Sequence, residues 1–169
     1  ANYIDEFKLH LDNSGEIKSI KFEWMDQILE ERYGETKKFD PKVSVFKDIM
    51  PHILSILFKL IGLDGLKLTK CSVKRGGASV NLELIIANVE CVIKLERNAN
   101  LRRRKIVIKA EKDLELDFST EPGTIIENGL NYSGDKLWHL SDSPLLKMLS
   151  QFLEMATSDN AALTTNHNI

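Results

Sequence analysis

Asp48 and His52 stand four residues apart and are the pair in this sequence whose types and spacing best suit chemistry. At about 100° per residue, Asp48, His52, Ser55 and Lys59 share a stripe about 60° wide on a helix. The remaining residues from Ile53 to Ile61 are apolar. On that seam the carboxylate can reach the imidazole. It would hold the ring and favour its cation, whereas the positive end of the helix favours the neutral ring. A histidine under such opposing pulls suits acid/base work. Both residues also have plainer uses, Asp48 as a helix cap and His52 as an interior or solvent-facing histidine.

The elements that must position this pair follow from the pattern. The helix runs from about Asp48 to Ile61 and ends at Gly62, and Pro51 belongs in its first turn, where a missing N–H costs least. Residues 3–12 fit either a helix face (Ile4, Phe7, Leu11) or a strand (Phe7, Leu9, Leu11), and Asn13-Ser14-Gly15 ends them. Ile17, Ile20, Phe22 and Trp24 read as a strand. The polar residues 26–41 read as a loop, with a short helix at Asp26–Arg32. After Gly65 come six short runs rich in Val, Ile and Leu: 66–74, 78–87, 90–97, 104–111, 114–119 and 123–127. Short connections make them antiparallel neighbours in a meander. The fold class is α+β, an open, mostly antiparallel sheet of about six or more strands with helices packed on one face. Strands such as 81–87 are rich in apolar residues on both parities, so the open face is expected to pair with a second subunit, giving a homo-oligomer.

Residues 128–142 read as a loop carrying Tyr132, Trp138 and His139, which either line a substrate pocket or pack the loop. Ser143 and Pro144 open a last helix with Leu145, Leu149, Phe152, Leu153 and Ala156 inward. Gly76-Gly77 reads as a plain turn. Arg97 and Arg102 to Lys105 read as the solvated end of a hairpin rather than a phosphate site.

Composition narrows the function. The chain has 169 residues, 43% hydrophobic and 28% charged, with 23 basic against 25 acidic residues and a net charge of −2. This is globular composition without the basic excess expected of a nucleic-acid partner. The apolar stretch 53–61 is too short to cross a bilayer, so no membrane role is expected. Cys71 and Cys91 lack metal spacing and read as buried thiols of a reducing cytoplasm, with no metal bound. No secretory leader opens the chain, and no glycine-rich dinucleotide or phosphate loop is present, so none of NAD, NADP or a nucleotide is expected to bind this chain alone. The opening at Ala1 and the abrupt end at Asn166-His167-Asn168-Ile169 read as a fragment of a longer protein, one domain spanning 1–169.

The run Val43-Ser44-Val45-Phe46-Lys47-Asp48-Ile49-Met50-Pro51-His52-Ile53-Leu54-Ser55-Ile56-Leu57, closing on Leu60-Ile61-Gly62, resembles the substrate-domain signature of the Gfo/Idh/MocA (glucose–fructose oxidoreductase and inositol dehydrogenase) family. So does the order around it: Asn13-Ser14-Gly15-Glu16-Ile17 before a strand, a polar loop, the Asp/His helix, antiparallel strands and a late Ser-Pro-Leu. Met50 stands where the family usually has Gly, Ser55 where it often has Asp, and Val43 to Phe46 replace a glycine-rich approach, which reshapes the pocket. The resemblance implies a C-terminal substrate-binding and oligomerisation domain, of the kind shared with dihydrodipicolinate and glyceraldehyde-3-phosphate dehydrogenases. It implies an upstream Rossmann domain that holds NAD or NADP and supplies a catalytic lysine. The full-length parent would move hydride to or from a carbinol carbon of a sugar-like or polyol small-molecule substrate. His52 matches the histidine that exchanges the hydroxyl proton, and Asp48 its acidic companion. The alternative from another class is a non-catalytic ligand-binding or dimerisation module.

Overall fold

The computed structural model describes residues 2–32, 35–36, 39–40, 42–135, 138, 146, 149–150 and 152–154. Residues 2–135 form one compact unit, and residues 136–169 belong to another.

The first unit opens with helix α1 (Asn2–Asp12), followed by β1 (Ser19–Gln27), a two-stranded ribbon of β2 (Glu31–Arg32) and β3 (Glu35–Thr36), and helix α2 (Val45–Ile61). Then come β4 (Lys67–Lys74), β5 (Ser79–Ile86), β6 (Val89–Ala99), β7 (Arg103–Lys109), β8 (Leu114–Asp117), β9 (Thr124–Glu127) and β10 (Leu130–Ser133). The main sheet has eight strands in the order β10-β9-β8-β7-β1-β6-β5-β4. All pairs are antiparallel except β1 with β6. The expected open antiparallel sheet with helices on one face is therefore present, but it is not one continuous meander. β1 is inserted between β6 and β7, and residues 100–102 carry the chain across it.

Burial decides the two-way reading of the first segment. Ile4, Phe7 and Leu11 are buried while Leu9 is 59% exposed, the helical choice. In β1, Ile20, Phe22 and Trp24 face the helices and alternate with Lys21, Glu23 and Met25. Inward residues of the neighbouring strands, Ile93, Leu95, Ile106, Ile108, Leu114 and Leu116, complete the core with Ile53, Leu57 and Leu60 of α2. Each such side chain contributes about 1.5–3 kcal/mol when fully buried.

Several expectations need correction. α2 starts at Val45, not Asp48: the Ser44 side chain accepts from the Lys47 N–H and is the N-cap. Pro51 thus lies inside the helix, where it removes the bond to the Lys47 carbonyl. The apolar run of α2 is buried on one side only: Ile53, Leu57 and Leu60 are covered, while Phe58 is 66% exposed. Its end is as read, with Gly62 at φ 75° donating its N–H to Phe58 O. Residues 26–32 form no helix; β1 runs on to Gln27 and the ribbon follows. Residues 130–133 are a strand, β10, rather than loop. Cys91 is buried, but Cys71 is exposed on the edge strand β4. In the second unit, Leu149, Phe152 and Leu153 of the expected inward face are helical and exposed. Ser143, Pro144, Leu145 and Ala156 lie outside the described residues.

The second face of the sheet is a charged lattice. Along one row, Lys94, Glu23, Lys105 and Asp117 follow one another across β6, β1, β7 and β8. Glu23 also meets Lys21 at 3.0 Å and Arg103 at 3.5 Å, and Lys105 meets Glu115 at 2.5 Å. These partners hold the Glu23 carboxyl below its ordinary value although partial burial pushes it up. The Glu115 hydrogen bond raises Lys105 against its partial burial. Apolar Val92 and Val107 flank Lys21 in the neighbouring row.

Candidate functional site

Where β1 ends, the aliphatic rows of the covered face give way to Trp24, Asp26, Arg97 and Arg104. β1 sets Trp24 and Asp26 on the same side, and Arg104 of β7 lies directly opposite Trp24 in register. α2 crosses this end with its first two turns, which brings Asp48 and His52 over it.

Asp48 and His52 do not pair. The Asp48 carboxylate accepts from the Arg97 guanidinium at 2.6 Å, and that arginine also donates to Val43 O at 2.6 Å and lies 4.9 Å over the Phe39 ring. Arg97 is 7% exposed, so it is no solvated hairpin end; it ties the approach to α2 onto β6. His52 is exposed and, among the described residues, makes no hydrogen bond. Its ring stacks on Trp24 with centroids 6.1 Å apart and planes 19° from parallel. The Trp24 indole N–H donates to Asp26 at 3.2 Å, Asp26 pairs with Arg104 at 2.9 Å, and the Arg104 guanidinium sits 4.3 Å over the indole. Next to this cluster, the buried Glu30 pairs with Arg102. The geometry thus offers a solvent-facing imidazole whose ring nitrogens are unbonded among the described residues, set on an aromatic surface and backed by buried charge pairs.

The other sequence candidates fall elsewhere. Tyr132 is on β10, with its ring 5.1 Å from His10, whose Nδ1 lies 2.9 Å from Glu127 Oε2. It makes no contact with His52. Trp138 is in the second unit, half-buried in a turn, and His139 lies outside the described residues. Arg97, Arg104 and Asp26 were not legible as site residues, because their meeting depends on strand register. The shared parity of Trp24 and Asp26 was the one local signal.

Among the described residues no group of acidic, histidine and cysteine side chains could hold a metal. No described helix is long and apolar enough to cross a membrane. Helix α2 is entered through Asp40, Lys42, Val43 and Ser44, with Ser44 at its cap, rather than through a glycine-rich turn from a strand.

No family model matches the chain, and no curated protein does. Solved structures do. The chain is similar to D-galactose-1-dehydrogenase from Rhizobium etli (TM-score 0.66, 13% identity), over 92% of this chain and 49% of that one. It is similar to UDP-N-acetylglucosamine 3-dehydrogenase from Acidithiobacillus ferrooxidans (TM-score 0.61, 14% identity), over 93% and 52%. It is also similar to a levoglucosan dehydrogenase in complex with NADH (TM-score 0.58, 12% identity), over 75% and 40%. These similarities show a fold shared with the matched parts of these dehydrogenases. The chain spans about half the length of the structures it matches.

Proposed function

We propose that this chain is the substrate-binding and oligomerisation domain of an NAD(P)-dependent oxidoreductase acting on a carbinol carbon of a sugar-like or polyol substrate. The observation that carries the reading is His52: an exposed imidazole whose nitrogens have no hydrogen-bond partner among the described residues, on the helix that matches the family's Asp/His signature. A nicotinamide held in a separate domain of the parent would supply or accept hydride. The carbinol oxygen must then lose or gain a proton, and His52 is the group that moves it. Asp48 stands beside it as Arg97's partner, anchoring the first turns of α2. Tyr132 and Trp138 are each proposed as a substrate contact from residue type and sequence position. The shared fold with three named dehydrogenases supports this class, and the open charged face of the sheet is the surface proposed for a second copy.

The experiment is an assay of the full-length parent against a panel of aldoses, lactones and polyols with NAD and NADP, read at the nicotinamide absorbance. Turnover on one of them is expected. Calorimetric titration of the isolated chain with NADH and NADPH is expected to give no binding, and micromolar binding would overturn the two-domain reading. A parent with no dehydrogenase activity, or an open reading frame with no dinucleotide domain upstream, would favour the non-catalytic module. The pairing of Asp48 with Arg97 is the observation on that side.

A further inference from the structure

A general acid/base needs its ring held in one plane while its nitrogens stay available. A carboxylate partner holds a ring by occupying one nitrogen, and here the nearest helical carboxylate, Asp48, is bound to Arg97 instead. The contact His52 does make is with the face of Trp24, in the offset-stacked range of 4.5–7 Å typical of aromatic pairs. Stacking restrains the plane and leaves both nitrogens open.

Trp24 is itself held from three directions. Its N–H donates to Asp26 at 3.2 Å, and Phe118 packs edge-on with centroids 5.7 Å apart. The Arg104 guanidinium lies over its ring at 4.3 Å, within cation–π range. Asp26 is 0% exposed and joined to Arg104 at 2.9 Å, so the indole is locked by a buried ion pair whose two members both touch it.

We infer that Trp24 is the platform that positions His52, and that Asp26 and Arg104 are positioning residues acting through it. This rests on reading His52 as the acid/base. The platform determines where the imidazole points, and a ring allowed to swing loses alignment with the reacting hydroxyl; displacements of about 1 Å can cost about 10²-fold in rate.

Two measurements test it. In the 169-residue chain, the His52 ring protons, assigned by their loss in His52→Gln, are expected upfield of those of an unstructured histidine through the indole ring current. The displacement should shrink in Trp24→Phe and in Arg104→Met. In the active parent, Trp24→Phe and Arg104→Met should lower kcat by about 10- to 10²-fold with KM nearly unchanged, and Trp24→Phe should retain more activity than Trp24→Leu. Unstructured-histidine shifts for His52 in the folded wild-type chain would overturn the platform, and this readout needs no variant to fold. So would wild-type kcat in a folded Arg104→Met or Trp24→Phe parent that His52→Ala inactivates; the functional reading would then survive alone. Full turnover of His52→Ala would instead remove the functional reading, and the catalytic sense of the platform with it.

Discussion

The Asp48 carboxylate lies 2.6 Å from the guanidinium of Arg97, a residue 49 positions further along the chain. That contact turns a local helical pair into a long-range clamp between α2 and β6. Asp48 is 40% exposed while Arg97 is 7% exposed, so most of the cost of breaking the pair falls on the stranded arginine.

Asp48→Ala is therefore expected to destabilise the chain by about 1–3 kcal/mol through an under-partnered Arg97. Ser44→Ala, which removes the true cap, should cost about 1 kcal/mol. Urea denaturation checks both. A double-mutant cycle of Asp48→Ala with Arg97→Met should show coupling, and additive losses would refute the clamp.

The two cysteines should separate cleanly. Burial pushes the Cys91 thiol up to about 12, whereas Cys71 is exposed. An aromatic disulfide reagent should titrate one thiol in the native chain near pH 8 and both after denaturation. Because the folded-state value of Cys91 is raised, its contribution to stability is fully present below the ordinary thiol range and is lost as pH rises from there towards about 12. Cys91→Ala should flatten that part of the stability profile. An unchanged profile would contradict the assignment.

Gly134 has no room for a side chain: a Cβ would come within 2.8 Å of both the Pro122 carbonyl oxygen and Tyr3 Cβ. Gly134→Ala should cost about 1–3 kcal/mol, as overpacking does, and lower the melting temperature. A neutral substitution would show that this corner yields more easily than its contacts imply.

The open face of the sheet should pair two copies. Val92, 43% exposed, stands between Lys21 and Glu83 on that face. Light scattering is expected to give a dimer or larger, and Val92→Glu to shift it to monomer. Since Glu23 and Asp117 are held below their ordinary values, their contribution is present above the usual carboxylate range and is lost as pH falls through their lowered values. The fold should lose stability in that window, which urea denaturation against pH reads. A monomer at high concentration and neutral pH would contradict the interface.

Much of the frame was legible because it rests on local patterns. The Val/Ile-rich runs after Gly65 all became strands, and Gly62 closed α2 where its position indicates. The central place of β1 was not legible: its alternation around Phe22 says which face is buried, not which strands flank it. β10 carries a local signal in the turn before it. Asn128-Gly129, with φ of 48° and 83°, is the dipeptide of a tight hairpin turn. The start of α2 is ambiguous in the sequence because Asp48 and Ser44 both suit a cap; in the structure Asp48 is taken up by Arg97 and Ser44 caps the helix. The candidate site was half legible. His52 stood out on a polar seam, but its neighbours Trp24, Arg104 and Asp26 meet only through cross-strand register, which sequence spacing does not encode.

The central claim is that His52 moves the substrate proton, and turnover against pH in the full-length parent tests it most directly. His52→Ala, verified as folded by thermal melt, is expected to lose about 10²- to 10⁴-fold in turnover with cofactor affinity nearly unchanged. Asp48→Asn should lose less, since that carboxylate faces Arg97 rather than the imidazole. A folded His52→Ala enzyme with wild-type turnover across the pH range would contradict the account and leave His52 a surface histidine on an aromatic patch.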